Sequence, residues 1–146
     1  MAALAIRVLI AEDYEPLRRF VSAIIEKLPQ FQIIGEASDG LTAIQKAQEL
    51  QAEMILLDIN LPMLNGFEVA RRIREHSPQL KIIFFSADCA FHTAQEAFRM
   101  GAYGYIVKSD AGTELVPALE TVLQGKQFVS ARLAGRFDSR LHPTAL

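Results

Sequence analysis

The chain has 146 residues, 51% of them apolar and 22% charged, with a formal net charge of −2 and one cysteine, Cys89. That is one ordinary domain with enough apolar material for a core, which excludes a disordered or low-complexity chain. A lone cysteine excludes an internal disulfide or an all-cysteine metal site, and no apolar run matches a bilayer span or a secretory leader, so a cytoplasmic location is expected.

Charge is unevenly spread. From Lys126 onward, Lys126, Arg132, Arg136 and Arg140 stand against Asp138 alone, a net of +3, while residues 1–125 carry a net of −5. The basic tail reads as a solvated terminal helix beside an acidic domain; contact with an acidic partner or a nucleic-acid backbone is the alternative.

In chain order, Ile6-Arg7-Val8-Leu9-Ile10-Ala11 is a short apolar run ending in Glu12-Asp13. Leu17, Phe20, Val21, Ile24 and Leu28 recur at helical spacing, with Pro16 in the first turn and Pro29 as the stop. Phe31–Ala37 predicts a second strand and Ser38-Asp39-Gly40 a turn. Ala43, Ile44, Ala47 and Leu50 share a helical face that leads into Met54-Ile55-Leu56-Leu57-Asp58, a strand apolar enough to be buried on both sides of a parallel sheet. Ile59 to Gly66 is loop chemistry, with Pro62, Asn65 and Gly66 as breakers. Phe67, Ala70 and Ile73 line the next helix, ended near Pro78. Lys81–Phe85 is a fourth strand running into Ser86. A helix from about Ala90 to Met100 closes at Gly101. Tyr103–Val107 is a fifth strand running into Lys108, and Leu115, Leu119 and Val122 mark a helix closed by Gly125. From Gln127 to Leu146, weak apolar periodicity (Phe128, Val129, Leu133, Phe137, Leu141) predicts at most a short extra helix. Five strands alternating with five helices argue for a parallel sheet covered on both faces, an α/β domain over 1–125 with an extension over 126–146. The alternation leaves strand order open.

Four strands end in chemistry: Glu12-Asp13, Asp58, Ser86 and Lys108. In a parallel sheet these ends share the carboxyl edge, where open α/β folds hold their ligands. Each residue alone is ordinary: an acid there caps a helix or solubilises a loop, Ser86 caps, and Lys108 is a surface charge. Together, three carboxylates repel unless a cation lies between them, and oxygen donors with room for water suit Mg²⁺. A lysine and a hydroxyl beside it match the needs of phosphoryl oxygens, and Asp58 could accept a phosphoryl group as an acyl phosphate. His76, His92 and His142 lack ligand spacing and read as surface residues, and Cys89 as a small residue near a helix start.

On these residues the chain resembles the receiver domain of two-component response regulators over roughly residues 5–125. The motifs are Glu12-Asp13, Leu56–Gly66 with Asp58 and Pro62, Ser86-Ala87, and Gly101–Lys108. The resemblance implies a flavodoxin-like (βα)5 fold with strand order 2-1-3-4-5 and Asp58 as phosphoacceptor. It also implies Mg²⁺ held by Asp13, Asp58 and the Asn60 backbone carbonyl, with Glu12 acting partly through metal-bound water. Ser86 and Lys108 would grip the phosphoryl oxygens, Tyr105 would be the switch that follows Ser86 inward, and Asn60 and Asp88 would tune dephosphorylation. The implied partners are a histidine kinase, an output protein and a second copy meeting through the fourth helix, fifth strand and fifth helix. Gly104–Ser109, Glu114-Leu115 and Gly125–Ser130 are similar to regulators with a LuxR/NarL-type helix-turn-helix output. The chain departs from that pattern in ending at Leu146 without such a motif; between a stand-alone receiver and one trimmed at its linker, the former is expected because the tail shows no obvious linker composition. It departs again in carrying Ser109 where many receivers have proline, which leaves the Lys108–Ser109 peptide open to either isomer.

Competing classes make distinct demands. An aspartyl phosphatase needs a second acid two residues after the nucleophile, and Asn60 stands there. A phosphate-independent pseudo-receiver has no use for the full acidic set with Ser86 and Lys108. A DNA-binding regulator needs a groove-reading element beyond four tail cations, so DNA binding by this chain alone is not expected. The domain is expected to catalyse only its own phosphotransfer and dephosphorylation and to be no enzyme otherwise.

Overall fold

The structure is a computed structural model that describes residues 4–137; Asp138, Arg140, Leu141 and His142 of the basic tail lie outside the described residues. Strands β1 (Ile6–Ala11), β2 (Phe31–Ala37), β3 (Met54–Asp58), β4 (Lys81–Ser86) and β5 (Gly104–Val107) alternate with helices α1 (Glu15–Glu26), α2 (Gly40–Glu49), α3 (Gly66–His76), α4 (Phe91–Arg99) and α5 (Ala111–Leu123). A 3-10 turn, Lys108–Asp110, joins β5 to α5.

All strands are parallel, in the order β2-β1-β3-β4-β5-β6. The flavodoxin-like arrangement is therefore present, with one strand more than the five expected. Strand β6 is Phe128–Val129, followed by a one-turn helix α6 (Ala131–Ala134). Phe128 and Val129 were expected at most on a helix. Instead they pair with Gly104 and Tyr105, because the far side of β5 offers unpaired backbone groups.

Period-two alternation sorts the strands onto two faces. Val8, Ile10, Leu56, Ile83, Phe85 and Ile106 point to one side and pack with Val21 and Ile25 of α1 and Leu115, Ala118, Leu119 and Val122 of α5. Leu9, Ala11, Leu57, Phe84, Tyr105 and Val107 point to the other, against α2, α3 and α4. Every residue of β3 is buried, as its composition predicts for a central strand. On α1 the expected apolar stripe is rotated: Ile25 is fully buried, whereas Phe20 is 47% exposed. Its ring lies near Gly112 at the start of α5 instead of in the core.

Local signals fix the helix starts. Asp39 caps α2 by accepting from the Thr42 N–H at 2.8 Å, and Asn65 caps α3 by accepting from the Glu68 N–H at 3.0 Å. Pro16 occupies the first turn of α1, where its missing N–H costs nothing. Pro117, by contrast, lies inside α5.

Candidate functional site

Strand register builds the site. Leu57 pairs with Ala11 of β1, so Glu12, the residue after Ala11, comes level with Asp58. Asp58 pairs with Phe85, so Ser86 stands one residue further along β4. Ser86 pairs with Val107, which puts Lys108 one residue further along β5. Residues scattered over almost a hundred positions thus meet at the carboxyl edge, on both sides of the point where β1 lies between β2 and β3.

Carboxylate oxygens of Glu12, Asp13 and Asp58 lie within 4.8 Å of one another. Glu12 and Asp58 are buried, each 1% exposed, while Asp13 is open to solvent. Lys108 Nζ reaches both buried acids, 2.7 Å from Glu12 Oε1 and 3.1 Å from Asp58 Oδ2. Burial pushes the Glu12 carboxyl above its usual range; the Lys108 contact and the Tyr14 N–H oppose this, and the Asp58 charge adds to it. For Lys108, burial pulls the ammonium down, but the close Glu12 contact and the Asp58 charge outweigh it, and the net direction is up.

The donor set suits a hard divalent cation. All side-chain ligands are oxygens, one acid is open to water, and the buried Glu12 Oε1 takes no well-angled hydrogen bond, its close contact with Lys108 being one of charge. Glu12 Oε2 is engaged, accepting from the Tyr14 N–H at 3.0 Å.

The loop after Asp58 is held against the strand. Asn60 N–H donates to Asp58 Oδ1 at 3.1 Å, and Gly66 N–H donates to the Ile59 carbonyl at 2.7 Å. A side chain at Gly66 would place its Cβ 2.4 Å from the Asp58 carbonyl oxygen, so only glycine permits this approach. Within the same loop Met63 is 73% exposed with φ of 72°, a left-handed conformation uncommon for methionine.

Ser86 and Tyr105 are fully buried. Ser86 Oγ accepts from the Asp88 N–H at 3.0 Å, and the Tyr105 hydroxyl donates to the Asp88 carbonyl at 2.6 Å. Burial pushes the Tyr105 phenol up to about 12. The Asp88 carboxylate is turned to the start of α4, where it accepts from the Ala90 N–H at 2.8 Å and the Thr93 hydroxyl at 2.7 Å. Those bonds, the Thr93 one first, hold it below the usual carboxylate range. The Lys108–Ser109 peptide is trans. His76, His92 and Cys89 are exposed, as expected for residues outside the cluster.

Contacts made by residues 128–137 were not anticipated. Ser130 is fully buried and accepts from the Val107 N–H, and Arg132 pairs with Asp110. Their only signal in the sequence was a Ser and an Arg in a weakly patterned tail.

Comparison with known proteins agrees with the fold. The response regulator receiver domain family matches residues 8–120, and the chain belongs to it. Among curated relatives, the nitrate/nitrite response regulator protein NarL of Escherichia coli K12 is 33% identical over 126 residues, covering 86% of this chain and 58% of that protein. The transcriptional regulatory protein LiaR of Bacillus subtilis is 30% identical over 136 residues, covering 93% and 64%. The chain therefore spans about three-fifths of the length of these relatives. A LuxR-family two-component response regulator from Aurantimonas superposes with a TM-score of 0.85 at 30% identity, covering 90% of this chain and 94% of that one. The receiver domain of a Mycobacterium tuberculosis NarL-type regulator superposes with a TM-score of 0.79 at 25% identity, covering 85% and 100%.

Proposed function

We propose that this receiver is a phosphorylation-controlled switch in which Asp58 accepts a phosphoryl group from a partner histidine kinase in the cytoplasm. The observation that carries this is the buried pair of acids, Glu12 and Asp58, sharing the ammonium of Lys108 at an edge otherwise open through Asp13. An oxygen of Asp58 attacks phosphorus, the bond from phosphorus to the donor breaks, and the donor leaves with that electron pair, so no proton need move on Asp58. Glu12, Asp13, Asp58 and the Asn60 carbonyl would hold Mg²⁺, which neutralises charge on the transferred group when bound. Lys108 and Ser86 supply a cation and a hydroxyl to the phosphoryl oxygens. Recruitment of the Ser86 hydroxyl loosens its bond to the Asp88 N–H, and Tyr105, tied to the Asp88 carbonyl, responds. The surface of α4, β5 and α5 then changes and presents itself to an output partner or a second copy. Asn60 and Asp88 set how readily water reaches the acyl phosphate.

Incubation with acetyl phosphate and Mg²⁺ tests the proposal. Intact-mass spectrometry should show one phosphoryl adduct, absent from Asp58→Ala. No adduct from acetyl phosphate or from any kinase tried would overturn it.

A further inference from the structure

The two acids that follow β1 are joined by a peptide held from both β2 and α1. Glu12 N–H donates to the Ala37 carbonyl at 2.9 Å, and the Glu12 carbonyl accepts from Arg18 Nη1 at 2.9 Å. Arg18 is itself anchored. Its Nε donates to Glu36 Oε1 at 2.8 Å, and the other Glu36 oxygen accepts from the buried Ser22 hydroxyl at 3.3 Å. Register brings these groups together: Ile10 pairs with Glu36 and Ala11 with Ala37, so β2 ends beside β1, and Arg18 and Ser22 lie one turn apart on α1. The Arg18 side chain is 17% exposed, whereas the next residue, Arg19, is 76% exposed and reaches Glu15 as an ordinary surface pair. Asp13 depends on the same peptide. Its exposed carboxylate has no hydrogen bond or ion pair among the described residues, so the backbone on either side sets its place. The Glu12 carbonyl and the Asp13 nitrogen share one rigid plane, which Arg18 holds. The next peptide is held by the Tyr14 N–H, which donates to Glu12 Oε2 at 3.0 Å.

We infer that Arg18 is a positioning residue of the cation site, bracing the Glu12–Asp13 peptide so that the Asp13 carboxylate meets those of Glu12 and Asp58. The inference rests on the proposed metal-assisted phosphoryl transfer to Asp58. Arg18 touches no reacting atom and acts through one carbonyl. Its two possible effects on a divalent cation have opposite signs. As a bare charge near three clustered carboxylates, a guanidinium opposes a cation; as a brace, it favours one, because Asp13 is in place before the ion arrives. Glu36, bonded at 2.8 Å, offsets the charge and leaves the brace as the larger effect. Lysine is no equivalent. Nε and Nη1 are separate donors on one planar fork, so Arg18 reaches Glu36 and the Glu12 carbonyl together, which the point charge of an ammonium does not reproduce.

Titration with Mn²⁺, followed by electron paramagnetic resonance of the free ion, reads the site without any phosphoryl donor, since Mn²⁺ takes the same oxygen ligands. Arg18→Ala should bind Mn²⁺ about tenfold more weakly than wild type, the low end for a partner that orients metal ligands. Arg18→Lys keeps the charge and the aliphatic stem, folds where the alanine variant does not, and should lose about the same factor. With acetyl phosphate, the Arg18→Ala adduct should form at the wild-type rate once Mg²⁺ is raised about tenfold, which places the defect in metal binding and not in the transfer step. A lowered urea midpoint for Arg18→Ala with unchanged Mn²⁺ affinity makes the residue merely structural and overturns the inference. Tighter binding by Arg18→Ala, the outcome of charge alone, overturns it too, as does wild-type affinity in Arg18→Lys; all three leave the site standing. Wild type that binds no Mn²⁺, or forms no adduct, overturns the proposed function and the role of Arg18 with it.

Discussion

The two oxygens of Asp58 are held by opposite kinds of partner: Oδ1 accepts from the Asn60 backbone N–H at 3.1 Å, and Oδ2 faces the Lys108 ammonium at 3.1 Å. The first bond is geometric and would survive neutralisation of the side chain. The second is one of charge and is shared with Glu12, so two buried carboxylates depend on one cation.

That sharing predicts the effect of Asp58→Asn. The substitution keeps an oxygen for the Asn60 N–H, removes one of the two repelling charges, and leaves Lys108 to Glu12 alone. Unfolding in urea without divalent cation should show a stability gain of about 1 kcal/mol, because relief of desolvation and like-charge repulsion exceeds one partial ion-pair contact. A lower midpoint than wild type would contradict this.

Gly66→Ala should act on stability and site together. The added Cβ meets the Asp58 carbonyl oxygen at 2.4 Å and the Ile59 Cα at 2.7 Å, both backbone atoms with little freedom to yield. A loss on the order of 2 kcal/mol is expected from overpacking, with slower phosphorylation because Asp58 itself is displaced. The paired readout is an unfolding midpoint and an adduct time course; wild-type values in both would show that the loop relaxes freely.

Tyr105→Phe separates packing from hydrogen bonding, since the ring stays and only the donor to the Asp88 carbonyl goes. A cost of about 1 kcal/mol at neutral pH is expected. The pH dependence has a definite sign. The folded phenol ionises at about 12, above its ordinary value of 10.0, so the folded state retains that proton longer. Its contribution is complete below pH 10 and is lost as pH rises towards 12. Wild type should therefore lose its advantage over Tyr105→Phe across that window, as followed by denaturant midpoints at each pH.

Pro117→Ala should stabilise the protein. Pro117 is exposed in the interior of α5, where it supplies no N–H to the Thr113 carbonyl. Restoring the donor on a good helix former should add about 1–3 kcal/mol, read from thermal or urea unfolding.

Most of the site was legible in the sequence because parallel strands impose one rule: whatever follows each apolar run lands at the same edge. Glu12, Asp58, Ser86 and Lys108 needed no more than that, and register then placed them on neighbouring strands. Phe20 was misplaced because a helical stripe of five apolar residues does not reveal its own centre; Ile25, unmarked in the stripe, packs against the sheet beside Val21, which the stripe did mark. Strand β6 was illegible for a different reason. Two residues cannot display a period, and Phe128–Val129 is a strand only because β5 has a free side to pair with. Ser130 and Arg132 were missed with it, since their partners, Val107 and Asp110, lie more than twenty positions away.

The brevity of β6 has a consequence for solution behaviour. A terminal strand with open backbone groups and apolar neighbours invites pairing with other molecules, and short covering strands blunt that tendency. Here two residues shield the side of β5, and Phe137 closes over Phe91 and Phe98. A version of the chain ended at Gly125 would bare both the strand and the rings at once. Self-association, more than loss of fold, is what such a truncation would bring out.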